Sequence, residues 1–242
     1  MKDDLVLLVV GSGGREFAVA KKLKESPHVK TVYCAPGNVG MQTIGVETVP
    51  IEETDIDGLL EFAKNKKVDW TFVGPENVLC AGITDKFNEA GQKIFGPNQR
   101  AAQLEGSKDY ALRFMRKYNI PTARHETFTS AETCIAGLKD FDFPVVIKED
   151  GLAGGKGVTI AKNQDVAEET IREMFARGQT AVVLEECLVG PEYSMFMVVS
   201  EDQFTILPMA QDHKRVGDGD KGPNTGGMGS YSPLPQLKKE DR

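Results

Sequence analysis

The chain has 242 residues, of which 40% are hydrophobic, 27% charged and 7% aromatic. This length allows one large or two modest domains with a buried core, and the composition excludes collagen-like, coiled-coil and intrinsically disordered proteins. The formal net charge of −7 argues against nonspecific nucleic-acid binding and against a polybasic membrane-surface protein.

The first hundred residues alternate short β-branched runs with amphipathic stretches. The pattern predicts strands at 5–10, 31–35, 70–74 and 93–96, and helices at 15–25, 57–66 and 79–90. Apolar strands that alternate with helices are typical of a parallel sheet covered on both faces, so this half is predicted to be α/β. The apolar run at 5–10 is too short for a signal-peptide core or a membrane span, and we expect a cytoplasmic protein without membrane contact.

A pair of helices is predicted next, from Asn98 to Gly106 and from Lys108 to Tyr118, ending before Ile120-Pro121. The following pattern predicts an α+β unit with strands at 125–130, 144–150, 157–161 and 181–187, and helices at 131–139 and 165–177, the second capped by Asn163. Two further apolar runs, 192–200 and 204–210, predict a β-hairpin. A glycine-rich stretch at 212–235 and a short charged segment follow, and we expect this third unit to be incomplete.

The cysteines show no spacing typical of a metal site or a disulfide framework. They are Cys34, Cys80, Cys134 and Cys187, each more than forty residues from the next. We therefore expect four reduced thiols.

Two loops in the first half favour an anionic or sugar-like ligand. The loop GSGGRE at 11–16 joins the first strand to the first helix, where backbone amides and the helix dipole favour a phosphate. Glu16 stands where a dinucleotide fingerprint has its third glycine, which disfavours a nicotinamide or flavin cofactor. Glu76, in GPEN at 74–77, is expected at the same sheet edge. A turn without ligand and a solvated loop glutamate remain the alternatives.

The segment IKEDGLAGGKGVTIA at 147–161 gives the strongest local signal. Lys148 ends a strand, and the glycines after it leave space for backbone amides to approach phosphates. A Walker loop is excluded because Lys156 is followed by Gly157 rather than Ser or Thr. The segment predicts triphosphate binding in preference to a plain hairpin turn.

Three other polar clusters each allow two interpretations. The segment 182–192 predicts a strand leading into a hinge that recognises adenine, although Glu185 and Glu186 are also compatible with outward charges on a strand edge. Lys108, at the break between two helices, is either a ligand contact or an exposed lysine. Within 212–215 consecutive side chains alternate in direction, so two of the four can face one ligand. His213 is either a general base or a hydrogen-bonded surface group.

In chain order the sequence contains the motifs VGSGGRE, APGN, VGPE, IFGP, AAQLEGSK, IPTA, IKEDGLAGGKGV, LEEC, QDHKRVGD and GPNTGGMGSYSP. Taken together, they resemble the N-terminal half of the phosphoribosylamine-glycine ligase family, in the ATP-grasp superfamily. The resemblance implies a Rossmann-like pre-ATP-grasp domain, an α+β ATP-grasp lid and a partial ATP-grasp core. The implied boundaries are 1–103 for the substrate-binding α/β domain, 104–123 for the bridging helices, 124–189 for the lid and 190–242 for the core.

The resemblance also implies an ATP-dependent carboxylate-amine ligase of de novo purine biosynthesis. Glycine would be joined to 5-phosphoribosylamine through glycyl phosphate, giving glycinamide ribonucleotide, ADP and phosphate. Magnesium or manganese would be needed, with its ligands beyond residue 242 and none in this chain, so we expect no turnover by the isolated chain. Another ATP-grasp ligase, such as a biotin-carboxylase type, and a nonenzymatic nucleotide-binding fragment are the alternatives.

Site residues carry over from the family motif by motif. The resemblance implies catalytic roles for Lys148, Asp212, Lys214 and Arg215. For ATP it implies Lys108, Lys148, Gly151, Gly154, Gly155, Lys156 and Gly157 at the triphosphate, Glu185, Glu186, Cys187 and Leu188 at the adenine, and Glu192 at the ribose. For the phosphoribosyl group it implies Gly11, Gly13, Gly14, Arg15, Glu16 and Glu76. For the glycine and acyl-phosphate pocket it implies the segment 212–215 together with the 222–229 loop, including Asn224, Gly226 and Gly227.

Overall fold

A computed structural model describes residues 3–152, 157–219, 221–225 and 227–237. The chain divides into two compact units, residues 1–121 and 122–242. Among the described residues, no helix has both the length and the apolar character needed to cross a membrane.

Unit 1 is an α/β unit built on a five-stranded parallel sheet. Its strands are β1 (Leu5–Gly11), β2 (Val29–Pro36), β3 (Glu47–Thr48), β4 (Trp70–Val73) and β5 (Ile94–Phe95). Its helices are α1 (Gly14–Lys24), α2 (Val39–Gln42), α3 (Ile56–Asn65), α4 (Glu76–Cys80), α5 (Ile83–Glu89), α6 (Gln99–Gly106) and α7 (Lys108–Lys117). The strands lie in the order β3-β2-β1-β4-β5 and are all parallel, which confirms the predicted sheet.

Both faces of this sheet are buried. Leu8 and Val10 of β1 pack with Leu59 and Phe87 on one face, while Val9 packs with Ala20 and Met41 on the other. Because successive residues of a strand point to opposite faces, β1 must be apolar throughout, as its sequence is. The chain runs from β1 to β2 on one side and later to β4 on the other. Ligands of open α/β sheets bind at such a reversal of strand order, at the carboxyl ends of the strands.

The predicted helix at 79–90 is wrong in its extent. The structure has two helices there, α4 and α5, separated by Gly82 at a φ of +91°. Glycine adopts this left-handed conformation without the steric cost that a side chain imposes, so the chain turns instead of continuing the helix. The short elements α2 and β3 have too few residues to show a periodic pattern, and the sequence did not predict them.

The two helices that end unit 1 begin at side-chain caps. The Asn98 side chain accepts a hydrogen bond from the Ala101 amide at 2.8 Å, and the Ser107 hydroxyl accepts one from the Tyr110 amide at 3.1 Å. These caps satisfy amides that the helix itself leaves without partners. The predicted starts of both helices are therefore confirmed, and Ser107 marks the break between them.

Unit 2 begins with a four-stranded antiparallel sheet covered on one face by helices. Its elements are β6 (His125–Phe128), α8 (Ala131–Gly137), a 3-10 turn (Leu138–Asp140), β7 (Val145–Glu149), β8 (Val158–Ala161), α9 (Gln164–Ala176) and β9 (Val182–Glu186). The strand order is β6-β9-β7-β8. Ile147 and Leu184 pack beneath Ile171 of α9 in one buried core. The Asn163 side chain caps α9 as predicted, accepting from the Val166 amide at 3.0 Å.

The remainder of unit 2 is made of short strand pairs. They are the hairpin of β10 (Met197–Ser200) with β11 (Gln203–Ile206), then β12 (Gln211–Asp212) with β15 (Ser230–Tyr231), and β13 (Arg215–Gly217) with β14 (Lys221–Asn224). The predicted hairpin is thus confirmed. At its base, backbone hydrogen bonds of 2.8 and 3.0 Å bridge Ser194 and Ala210. The apolar side chains of β10 and β11, including Phe204, are exposed.

Candidate functional site

Three loops meet at the carboxyl edge of the parallel sheet in unit 1. Arg15, in the first turn of α1, donates through Nη1 to the Gly74 carbonyl at 3.0 Å and to Glu76 Oε1 at 2.9 Å. Burial raises the pKa of Glu76, but hydrogen bonds from its backbone amide and from Arg15 outweigh that effect and leave the pKa below its usual value. The same contact raises the pKa of Arg15. Glu76 therefore lies beside the glycine loop in the structure, as predicted. Its carboxylate and the Arg15 guanidinium are both charged.

The loop after β2 holds the glycine loop from the other side. Asn38 Nδ2 donates to the Ser12 carbonyl at 2.8 Å, and the Gly37 amide donates to the Gly11 carbonyl at 3.1 Å. Gly11 has a φ of +122°, a conformation that requires glycine. Asn38 was not among the predicted site residues. Its position in APGN, directly after the second strand, is the signal that would have found it.

Glu16 supports the glycine loop from beneath. It is 5% exposed, and its Oε2 accepts a hydrogen bond from the Gly13 amide at 2.7 Å. A methyl group added at Gly74 would lie only 1.9 Å from Oε1, so the carboxylate fills the space that this glycine leaves. The Gly13 amide therefore faces Glu16. At Gly14 an added methyl group would meet no atom within 4 Å, so the loop is open on that side.

In unit 2, Lys148 and Glu185 lie together on the sheet face opposite α8 and α9. Lys148 Nζ is 2.5 Å from Glu185 Oε2, and Glu185 is 7% exposed. The β7–β9 register pairs Val146 with Glu185, which makes Lys148 a diagonal neighbour on the same face. On this face β8 presents Val158 and Ile160, both more than 40% exposed. A half-buried ion pair beside exposed apolar side chains suits a flat ligand with a polar edge.

The end of β9 leads into an exposed segment. Glu186 Oε1 accepts from the Arg124 amide at 2.8 Å, which ties this strand end to β6. Cys187 is half-buried, and Leu188 is exposed. Beyond them, the carboxylate of Glu192 forms a close ion pair with the ammonium of Lys214.

The 212–215 segment and the 222–229 loop are joined by backbone hydrogen bonds. The His213 amide donates to the Gly229 carbonyl at 2.9 Å, and the Thr225 amide donates to the Lys214 carbonyl at 2.7 Å. Arg215 pairs with Asn224 through the β13–β14 ladder. The two segments that were predicted to share a pocket are therefore adjacent. The His213 ring stacks on Tyr231 with centroids 5.5 Å apart, so Tyr231 belongs to this cluster although the motifs did not single it out.

The remaining predicted residues have the following positions. Lys108 opens α7 in unit 1, and Gly151, with a φ of +92°, follows β7 in unit 2. Gly157 precedes β8, and Asp212 ends β12. Gly227 has a φ of +108°, and its amide donates to Thr225 Oγ1 at 3.1 Å. Gly154, Gly155, Lys156 and Gly226 lie outside the described residues. Within the described ranges, no group of three or more His, Cys, Asp or Glu residues is arranged to hold a metal ion.

Two family models together match nearly the whole chain. The model described as phosphoribosylglycinamide synthetase, N domain, matches residues 5–105, and that described as phosphoribosylglycinamide synthetase, ATP-grasp (A) domain, matches residues 106–242. The phosphoribosylamine–glycine ligase of Lactococcus lactis subsp. lactis strain IL1403 is 51% identical over 234 residues, which cover 97% of this chain and 57% of that protein. The chain thus spans somewhat more than half the length of this relative.

Solved structures show the same similarity. The crystal structure of phosphoribosylamine–glycine ligase from Thermotoga maritima matches with a TM-score of 0.77 and 36% identity, over 95% of this chain and 56% of that one. The biotin carboxylase domain of the Hydrogenobacter thermophilus 2-oxoglutarate carboxylase, solved with MgADP, ADP and bicarbonate, matches with a TM-score of 0.69 over 89% of this chain and 51% of that one. At 15% identity, this second match establishes a shared fold only.

Proposed function

Because the chain belongs to the phosphoribosylglycinamide synthetase family, we propose that it supplies nucleotide- and substrate-binding parts of a ligase that joins glycine to 5-phosphoribosylamine. The products would be glycinamide ribonucleotide, ADP and phosphate, formed in de novo purine biosynthesis. The observation that carries this proposal is the continuous match of the two family models from residue 5 to residue 242. The 51% identity to the Lactococcus lactis relative supports it.

The proposed reaction has two steps. A carboxylate oxygen of glycine attacks the γ-phosphorus of ATP, the bond to ADP breaks, and glycyl phosphate forms. The amine nitrogen of phosphoribosylamine then attacks the carbonyl carbon of glycyl phosphate, the bond to phosphate breaks, and the nitrogen loses a proton. Both steps concentrate negative charge on phosphoryl oxygens, so fixed cations near those atoms stabilise the transition states.

In unit 2, the open face of the β6–β9 sheet is the proposed nucleotide site. Val158 and Ile160 would contact the adenine ring, while the Lys148–Glu185 pair would present charge at its edge and towards the phosphates. Glu192, in the exposed segment after β9, would accept hydrogen bonds from the ribose hydroxyls. Lys214 and Arg215 would face the transferred phosphoryl group. A bound magnesium ion would supply further charge neutralisation, but the described residues offer no cluster of ligands for it.

In unit 1, the crevice between the loops after β1 and β4 is the proposed site for phosphoribosylamine. The pKa of Glu76 lies below its usual value, so its carboxylate is ionised at neutral pH and can accept hydrogen bonds from sugar hydroxyls. Arg15 holds this carboxylate at the sheet edge. The open space above Gly14 gives a ligand access to the first turn of α1.

The fold alone does not separate this function from that of another ATP-grasp ligase. A biotin carboxylase domain shares it with a TM-score of 0.69. Two observations favour glycine as the acid substrate. They are the motifs QDHKRVGD and GPNTGGMG and the 51% sequence identity to the Lactococcus lactis phosphoribosylamine–glycine ligase. Whether ADP release depends on glycine or on bicarbonate tests which acid is the substrate.

The test of the reaction uses a chimera in which this chain replaces the aligned 57% of the Lactococcus lactis relative. We expect ADP release that requires both glycine and phosphoribosylamine. Release that depends on bicarbonate instead would contradict the proposal and support a carboxylase-type ligase. The 242-residue chain alone is assayed in parallel, with no turnover expected.

Nucleotide binding tests the site on the chain itself. Lys148→Met should weaken ATP binding about ten- to a hundredfold, since one charge-assisted hydrogen bond is lost. Lys162→Met, an exposed lysine just after β8, is the matched control and should bind as the parent does. The double variant Lys148→Met/Glu185→Gln leaves no unpaired buried charge, and its comparison with Glu185→Gln alone isolates the effect of the missing ammonium. Undiminished ATP binding in both Lys148 variants would refute the assignment.

A further inference from the structure

The ion pair between Glu192 and Lys214 joins two parts of unit 2 that have separate proposed ligands. Glu192 lies in the exposed segment after β9, which is assigned to the nucleotide ribose, and Lys214 lies between β12 and β13, which are assigned to the acyl-phosphate pocket. The carboxylate accepts a hydrogen bond from the ammonium through Oε1, and the side chains are 68% and 43% exposed. In the absence of ligand, the Glu192 carboxylate and the Lys214 ammonium are therefore bound to each other.

The backbone of Lys214 is held independently of this pair. Its carbonyl accepts hydrogen bonds from the Thr225 amide at 2.7 Å and from the Thr225 hydroxyl at 2.9 Å. The neighbouring His213 exchanges backbone hydrogen bonds with Met228 and Gly229. If the ammonium leaves Glu192, only the flexible side chain of Lys214 has to move, because the 222–229 loop still holds the main chain.

Asp212 gives the released ammonium a local partner. The pKa of Lys214 is raised by its hydrogen bond with Glu192 and, to a smaller extent, by the charge of Asp212. Asp212 belongs to β12, two residues before Lys214. The lysine thus interacts electrostatically with two carboxylates, Glu192 and Asp212.

We propose that Lys214 and the ribose of an adenine nucleotide compete for the Glu192 carboxylate. Nucleotide binding then releases the Lys214 ammonium towards Asp212 and the 222–229 loop, where it can meet an anionic group. This inference rests on the proposed function, because it takes Glu192 as the ribose acceptor. Two vicinal hydroxyls donate to the two oxygens of one carboxylate, and the ammonium of Lys214 already donates to Oε1, so it takes up part of the acceptor capacity and of the charge that the ribose would use. Lys214 would thereby become available to the transferred phosphoryl group only after the nucleotide is in place.

The expected size of the competition is small and measurable. The Glu192 side chain is largely exposed and that of Lys214 partly exposed, and ion pairs open to solvent contribute little because water and salt screen them. Because the pair must be broken when ribose binds, it should lower the ribose affinity of the parent chain only about two- to fivefold. Removing the lysine should strengthen ribose binding by the same factor.

The experiment compares adenosine with 2′,3′-dideoxyadenosine, since neither carries a phosphate that Lys214 could contact directly. Affinities for the 242-residue chain are measured by ligand-detected NMR titration. In Lys214→Met, adenosine should bind about two- to fivefold more tightly while the dideoxy compound is unchanged. Lys221→Met removes an equal charge from an exposed position of β14 in the same unit and should change neither affinity. On a Glu192→Gln background, Lys214→Met should have no effect on adenosine.

Ionic strength provides a second measurement. Salt screens the ion pair, so it should strengthen adenosine binding in the parent chain and leave Lys214→Met unaffected. Adenosine binding that is unchanged or weaker in Lys214→Met, or equal tightening of both compounds, would overturn the competition. If the chain binds neither ATP nor adenosine, the proposed nucleotide site itself fails. If both bind and Lys214→Met has no effect, only the competition is refuted.

Discussion

Gly74→Ala should destabilise unit 1 through a residue in a different loop. The added methyl group would lie 1.9 Å from Glu16 Oε1 and 2.5 Å from its Cδ, so the Glu16 side chain has to move. Moving it breaks the 2.7 Å hydrogen bond from the Gly13 amide. The backbone at position 74 presents no obstacle to alanine, since its φ lies outside the left-handed region.

The expected loss can be worked out from these contacts. A hydrogen bond to a charged acceptor contributes about 1.5–3 kcal/mol, and replacing glycine by alanine stabilises a compatible backbone by about 0.4–1 kcal/mol. The free energy of unfolding should therefore fall by about 1–2 kcal/mol. Urea denaturation followed by tryptophan fluorescence measures this in unit 1 specifically, because Trp70 in β4 is the sole tryptophan of the chain.

Two variants make the test decisive. Gly14→Ala places a methyl group in open space at the first position of α1, and it should leave stability unchanged or raise it by up to about 1 kcal/mol. In a Glu16→Ala background the clash is absent, so Gly74→Ala should no longer destabilise the unit. A Gly74→Ala protein as stable as the parent would refute the reasoning, as would an undiminished loss in the Glu16→Ala background.

Two further predictions concern ionisable groups of unit 1. Burial, with a smaller effect from the charge of Glu16, raises the pKa of Cys34 to about 12, while the unfolded thiol ionises near pH 9. The unfolded state therefore loses its proton first, and between pH 9 and about 12 the free energy of unfolding should fall by about 1.4 kcal/mol per pH unit more than in Cys34→Ala. Equal pH slopes in urea titrations of the two proteins would contradict this. Glu76→Gln should weaken ribose 5-phosphate binding about tenfold in calorimetry, because the charged acceptor is lost. Glu53→Gln, which alters a carboxylate that contacts Asn77, should not, and equal losses would argue against Glu76 as a ligand.

Local signals in the sequence predicted most of the fold. The apolar run at 5–10 became the central strand because both faces of β1 are buried, and Asn98 and Asn163 cap the helices that follow them. The end of the predicted 79–90 helix at Gly82 was missed, because one glycine within an apolar pattern does not reveal its φ. The apolar run and the helix caps depend only on residues that are neighbours in sequence, so they could be predicted without the structure.

The side-chain contacts within the candidate sites could not be predicted from the sequence alone. Lys148 meets Glu185 because the antiparallel register of β7 and β9 places them diagonally on one face. A shift of one residue would send one of them to the opposite face, and the sequence does not specify that register by itself. The hydrogen bond from Asn38 to Ser12 likewise forms because β1 and β2 are adjacent, which brings together the loops that follow them. Residue types were predictable from motifs, whereas their partners required the tertiary structure.

The bridge between Ser194 and Ala210 changes the effective length of the chain between Glu192 and Lys214. Its two backbone hydrogen bonds close the loop that contains the β10–β11 hairpin. Glu192 precedes the bridge by two residues and Lys214 follows it by four, so the intervening hairpin does not set their separation. Insertions or deletions at the Glu201 turn should therefore be tolerated without disturbing the ion pair. The hairpin is a region where evolution, or a designer, can vary chain length while both ligand-binding segments keep their places.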